Sequence, residues 1–306
     1  MNTTPLKTTC LINGEELDLH LIIDEEAEEA AVVALGSSFS AAAIEEEAED
    51  EIPDLDIDKY GFFIEPDASD QFHKALAIEP SVRRQRESKE KERLQKWLDM
   101  RRAWTAAKQP PSKVKERCRK GVPHKARPWA WYQISRASRY EDTFPAVLPE
   151  VDSSAYASLS TILCDEIDRD IPRTFPRHRL FFPKRGAGQS ALRRVLRCYA
   201  LHDPEVGYCQ GMGFIAGMML SYMDEHTALS TFIAALSGPS DPRPQWIKFK
   251  LREMYLPSMA GAQRCLYVFE ALGRRHLGRL WTHLEEQGMV SGRALALTSR
   301  RQPSLL

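Results

Sequence analysis

Lysine and arginine are absent from residues 8–58 of this 306-residue chain, which instead carry 17 acidic side chains. Like-charge blocks such as Glu25-Glu26-Ala27-Glu28-Glu29 repel rather than collapse, so residues 1–58 are expected to be a disordered acidic tail. The whole chain sums to −1, which leaves residues 59–306 with 41 basic and 26 acidic groups, a formal +15. Long hydrophobic runs are also missing. The apolar stretch Phe214–Leu220 is far short of the roughly 20 residues that cross a bilayer, and Met1–His20 has no charged-then-apolar leader. The six cysteines form no C-x-x-C pair and no zinc-type spacing, which predicts a reduced, cytoplasmic protein with no cofactor of its own.

Catalytic signatures are scarce as well. No H-E-x-x-H, G-x-S-x-G or EF-hand loop occurs. Gly186-Ala187-Gly188-Gln189-Ser190 lacks the Gly-Lys-Ser/Thr ending of a phosphate loop. Cys209 has no identifiable histidine partner and reads as a small apolar residue. The basic stretch Arg83–Arg127 holds few aromatics on which bases could stack, so it reads as a solvated face, not a nucleic-acid or anionic-membrane surface.

What is present is helical. Residues 79–108 have an apolar stripe (Leu94, Trp97, Leu98, Trp104) with Glu87–Lys91 and Glu92–Lys96 pairs, ended by Pro110-Pro111. Ser112 is a plausible N-cap for a helix to Lys120, stopped by Gly121, and Pro123 can open the next. Pro128 then predicts a kink or restart. Tyr156, Leu159, Ile162, Leu163 and Ile167 predict one amphipathic helix over 153–168. Leu192, Val195, Leu196 and Tyr199 give the buried face of a helix over 189–202. Residues 214–223 are apolar nearly all round, as in a buried central helix. Further helices are expected at 226–236, 245–256, 260–272 and 277–286, with an irregular loop from Gly238 to Pro244. No segment alternates with period 2, so the fold class is all-α. Ahead of the helices, Lys59-Tyr60-Gly61-Phe62-Phe63-Ile64 is an aromatic cluster expected to pack on the folded body.

Two strings stand out. Ile167-Asp168-Arg169-Asp170-Ile171-Pro172-Arg173-Thr174-Phe175-Pro176 places an arginine at a helix edge, and Gly207-Tyr208-Cys209-Gln210-Gly211-Met212 places a glutamine 37 positions later. Read alone, Asp-x-x-Arg is ordinarily a helix-end ion pair and Gln210 could be a buried amide. In family order, the two strings resemble the TBC domain of Rab GTPase-activating proteins, as does Lys120-Gly121-Val122-Pro123 with Arg127 and Trp131. The Tyr-Gly-Phe element is similar to one that precedes the domain in the EPI64-like subfamily.

The resemblance implies a multi-helix TBC-like domain over 113–289, preceded by an aromatic anchor and basic helix at 59–112. It implies that Arg173 is an arginine finger and Gln210 a glutamine finger, with Asp170 positioning the arginine and Arg127, Trp131, Tyr208 and Gly211 as supports. The implied partner is a Rab-family small GTPase in the GTP state. GTP and Mg belong to that partner, and any endomembrane contact is peripheral or through it. The family pattern runs on past Leu284-x-x-x-Gly288-Met289, whereas 290–306 is a short polar, basic tail. An incomplete domain is therefore expected, with Leu277, Leu280, Trp281 and Leu284 exposed. The alternative is a non-catalytic Rab-binding or scaffolding protein without activating function.

Overall fold

The computed structural model describes residues 9–12, 15–18, 53, 55–58, 60–64, 80–107, 109–145, 148–150, 153–237 and 251–288. Within the acidic segment, β1 (Thr9–Ile12) and β2 (Glu15–Asp18) pair antiparallel, Thr9 opposite Asp18 and Ile12 opposite Glu15. The sequence reading expected no strands. The Asn13-Gly14 dipeptide between the two is a strong hairpin signal that outweighs weak alternation over four residues. The remainder of the expected disordered tail, the Gly238–Pro244 loop, most of the expected 245–256 helix and the 290–306 tail lie outside the described residues.

The body is helical. Helix α1 (Pro80–Ala107) lays Trp97 and Met100 against Val114 of α2 (Val114–Lys120) and against Ala126 and Ala130, forming a small core of its own. Glu92 pairs with Lys96 as its spacing predicts. Ser112 does not cap α2. Lys113 takes that position with no side-chain bond, and Gly121 ends the helix at φ +97°. The restart at Pro128 is observed: a 3₁₀ turn, His124–Ala126, gives way to α3 (Arg127–Ser135), whose first turn holds the proline where a missing N–H does no harm.

The expected single helix over 153–168 is two pieces. Ser153 caps a 3₁₀ turn at Ser154–Tyr156, and Ser160 accepts a hydrogen bond from the Leu163 N–H (3.2 Å) to start α4 (Thr161–Asp170). A second cap resets the helical phase. Ile162 accordingly faces solvent instead of joining Ile167 in the core. A 3₁₀ turn, Ile171–Arg173, follows directly.

Helix α5 (Ala187–His202) is the central strut, with Leu192, Val195, Leu196 and Tyr199 buried as expected. Around it pack α6 (Met212–Leu220) and α7 (Glu225–Ser237), with Phe232 edge-on to Tyr199. Arginines on α5 tie it outward: Arg193 and Arg197 to Asp168 of α4, and Arg194 to Glu225 of α7 (2.7 Å). Burial pushes the Glu225 carboxyl above its usual range despite that arginine, and Glu225 raises Arg194 in turn. The short α8 (Arg252–Tyr255) is held by Arg252 on Asp203 (2.6 Å), which lowers the Asp203 pKa.

Helices α9 (Ala260–His276) and α10 (Gly278–Glu286) stand against each other at the periphery. Leu277 and Leu280 are exposed as expected, and so are Tyr267, Val268, Phe269 and Leu272. Trp281, expected in the open, is instead buried. Gly273 of α9 has no side chain there, and the indole lies flush against it.

Candidate functional site

Both sequence strings end at the same corner of the fold. The first leaves α4 through the Ile171–Arg173 turn, so Arg173 sits one turn past the buried Asp170. The Arg173 side chain is 57% exposed and pairs with the Asp170 carboxylate through Oδ1. The other carboxylate oxygen, Oδ2, accepts a hydrogen bond from the Tyr208 hydroxyl at 2.6 Å. Burial and the Asp170 charge together push the Tyr208 hydroxyl pKa upward, keeping it a donor. One carboxylate thus holds the arginine of the first string and the tyrosine of the second.

Gln210 follows Tyr208 by two residues, on a turn closed by Met212 N–H to the Cys209 carbonyl (3.1 Å). Gly211 supplies φ +100° there, a conformation that a Cβ would strain although the space beside it is open. Gln210 is exposed, which rules out the buried-amide reading, and among the described residues no hydrogen bond engages its amide. Cys209 is half-buried and burial raises its thiol pKa, so it is a poor nucleophile.

The two segments are also seated on one another. Gly213 and Gly217, one turn apart on α6, face Thr174 and Phe175. A Cβ at Gly213 would lie 2.9 Å from Thr174 Oγ1, and one at Gly217 would lie 3.1 Å from the Phe175 ring. Thr174 is buried and donates its hydroxyl to the Asp170 carbonyl at 2.9 Å. Phe175 takes φ +49°, strained for a residue with a side chain and more so before proline. Edge-to-face rings of Phe62 and Phe214, at 5.7 and 5.3 Å, hold it there.

The aromatic cluster ahead of the helices packs on this segment, as expected. Phe63 N–H donates to the Arg177 carbonyl and Arg179 N–H to the Gly61 carbonyl, both at 2.9 Å. His178 accepts from Leu180 N–H at Nδ1, so Nε2 carries the proton and donates to the Tyr60 carbonyl. Burial lowers the His178 pKa, outweighing that carbonyl and Asp58.

Arg127 and Trp131 are placed elsewhere. Arg127 donates to the Val122 carbonyl and the Tyr222 hydroxyl, with its guanidinium over the rings of Tyr60, Trp131 and Tyr222. Tyr222 lies just past the C-terminal end of α6, whereas Gln210 precedes its start. Arg127 and Trp131 thus meet the chain at the C-terminal end of α6. A surface depression lined by Ile162, Asp165, Asp168 and Arg169 runs along α4 and includes neither Arg173 nor Gln210. Sequence reasoning missed the Gly213/Gly217 seat, although the i,i+4 glycine spacing directly after the second string was the signal for it.

A family model described as the Rab-GTPase-TBC domain matches residues 124–292. The human Ecotropic viral integration site 5 protein homolog is 34% identical over 192 residues, 62% of this chain and 21% of that protein. Mouse TBC1 domain family member 10A is 33% identical over 204 residues, 66% of this chain and 35% of that relative. The Caenorhabditis elegans Rab GTPase-activating protein eat-17 is 33% identical over 183 residues, 59% of this chain and 18% of that protein. The chain thus spans about a fifth to a third of the length of these relatives. Among solved structures, the Chlamydomonas flagellar RabGAP TBC domain is 24% identical, with a TM-score of 0.48, over 75% of this chain and 69% of its own. Since the family model covers more than half of the chain, including both strings, the protein belongs to the Rab-GTPase-TBC domain family.

Proposed function

We propose that this chain accelerates GTP hydrolysis by a Rab-family small GTPase in its GTP state, supplying Arg173 and Gln210 in trans. The observation that carries the reading is the shared anchor. An exposed arginine and an exposed glutamine project from segments bound together by Asp170, Tyr208 and the Gly213/Gly217 seat. Hydrolysis forms a bond from water to the γ-phosphorus and breaks the bond to the β–γ bridging oxygen, leaving GDP and phosphate. Charge spreads over the transferring group as this happens. A guanidinium placed there stays charged and donates in a planar fork, worth about 10³–10⁵ in rate. The Gln210 amide can accept from the attacking water and donate at the same time, which fixes the water's direction. The nucleotide and its Mg²⁺ belong to the GTPase, and any contact with endomembranes is peripheral, through that partner.

The test is GTP hydrolysis by a panel of purified Rab proteins with the full 306-residue chain added. Stimulation of at least one member is the expected result. Binding to GTP-loaded members with no stimulation of any would replace this reading with the non-catalytic Rab-binding one.

A further inference from the structure

Helix α2 turns one face inward and one outward. Val114 is buried and Cys118, one turn later, is half-buried, both packed in the small core that Trp97 and Met100 of α1 build. The opposite face carries charge. Lys113, Lys115, Glu116, Arg119 and Lys120 are all exposed there, with 115 and 119 neighbours one turn apart. From Lys113 to Lys125 the chain has six basic residues and one acidic residue. That acid, Glu116, pairs with Lys120. Among the described residues no ion pair engages Lys113, Lys115 or Arg119. The face is therefore a cluster of exposed cations with its single acid already occupied.

We infer that the outward face of α2 lies on an anionic bilayer surface, with Lys113, Lys115 and Arg119 among the phospholipid headgroups. The apolar side of this helix is spent inside the protein, so nothing on it inserts into lipid. Its attraction is to surface charge, and each lysine or arginine near an anionic leaflet adds to it. The scarcity of aromatics in this stretch argues against stacked bases. Headgroups need no stacking, so the solvated-face reading of the sequence holds against nucleic acid only. The position also leaves the Gln210 turn clear. The turn that follows α2 meets the C-terminal end of α6, where His124 Nδ1 and the Tyr222 hydroxyl share a hydrogen bond of 2.9 Å. Gln210 precedes the start of that helix, whose 9 residues at about 1.5 Å each span about 13 Å. This contact needs no GTPase and so does not rest on the proposed function. It adds a lipid contact that the chain makes itself.

The test is equilibrium binding of the full 306-residue chain to vesicles of phosphatidylcholine alone, and of phosphatidylcholine with phosphatidylserine. Binding is expected only to the anionic vesicles, and it should weaken steeply as salt is raised. Lys113→Gln/Lys115→Gln/Arg119→Gln should weaken it at least ~20-fold, on a scale of about fivefold per cation. Lys113→Arg/Lys115→Arg/Arg119→Lys keeps every charge and should stay within ~3-fold of wild type. Glu116→Gln removes the one acid on this face and should strengthen binding ~5-fold, with neutral vesicles still unbound. Thermal midpoints report whether the variants remain folded. A folded triple-glutamine variant that binds as wild type does, or a Glu116→Gln chain that binds no tighter, overturns the inference. So does a wild-type chain that treats charged and neutral vesicles alike, or one that binds duplex RNA more tightly than anionic vesicles at the same salt. Stimulation of the Rab panel in solution should be untouched by the triple-glutamine variant, so failure here leaves the proposed function to its own test.

Discussion

Asp170 is the residue on which the site turns, because it serves two masters with its two oxygens. A carboxylate on a side chain only 9% exposed would be poorly placed with no partner, and Arg173 and Tyr208 together satisfy it. Tyr208→Phe removes one donor while keeping the ring. Hydrogen bonds to charged groups contribute about 1.5–3 kcal/mol, and urea unfolding should show a loss of about that size. The limiting rate of stimulated hydrolysis should also fall ~10-fold, since a tenfold change needs only about 1.4 kcal/mol at the transition state. A variant as stable and as active as wild type would show that Tyr208 merely fills space. The Asp170–Arg173 pairing was legible in the sequence because its string is local. The Tyr208–Asp170 bond was not, because it joins residues 38 positions apart whose meeting depends on how α5 spans the interval. Arg127 and Trp131 were read as supports, and motif order could not show that they do so within an aromatic cage with Tyr60 and Tyr222.

Among the elements, α6 seats the segment that carries Arg173 close to the turn that carries Gln210. Its two glycines let the Thr174 and Phe175 side chains approach where a Cβ would crowd them. Gly213→Ala must push against the buried Thr174 hydroxyl. Overpacking of this kind costs about 1–3 kcal/mol, so the thermal midpoint should drop. Displacement of Arg173 should lower the limiting rate with little change in half-saturation. A lowered midpoint with an intact limiting rate would mean that the seat stabilises the fold without aiming the finger. Helix existence was legible from apolar period at α1 and α5. Helix continuity was less so. Residues 153–168 read as one helix because their apolar spacing fits a single phase, whereas Ser160 begins a new one and turns Ile162 outward. The all-round apolar pattern of α6 similarly concealed which side stays open, because periodicity carries no information when every face is apolar.

At the scale of the whole molecule, the segment 60–64 straps across the stretch that follows Arg173, with His178 as its buckle. Burial lowers the His178 pKa below the ordinary histidine value of about 6.5. The unfolded chain therefore takes up this proton first as pH falls. Stability from this group is complete above about pH 6.5 and is lost as pH drops through the lower folded-state value. Charging Nδ1 would also turn the acceptor of the Leu180 N–H into a donor facing a donor. Thermal midpoints should fall between pH 7.5 and 5, and His178→Asn should show a shallower fall from a lower start. Equal slopes would remove His178 from the pH response. Packing of this cluster was legible because aromatics after a polar stretch have few places to go. Its seat on residues 177–179 was not, because an isolated bridge leaves no period in the sequence. Charge partition was legible outright. From Ile171 to His202 there is no acidic residue, and Arg173, Arg177 and Arg179 are exposed along its first part. Such a surface draws in an anionic partner at a rate that falls with added salt.

The central claim is that one arginine and one glutamine act together on another protein's phosphate. Single-turnover GTP hydrolysis by the responsive Rab, with saturating wild type, Arg173→Ala, Arg173→Lys, Gln210→Ala and the Arg173→Ala/Gln210→Ala double variant, tests it most directly. Arg173→Ala should lose at least ~10³-fold of the stimulated rate, and lysine should restore little because it lacks the planar fork. Gln210→Ala should be nearly as damaging, and the double variant scarcely worse than either, as expected of groups acting as a unit. All variants should still bind the GTP-analogue-loaded Rab. Wild-type stimulation by Arg173→Ala would contradict the account.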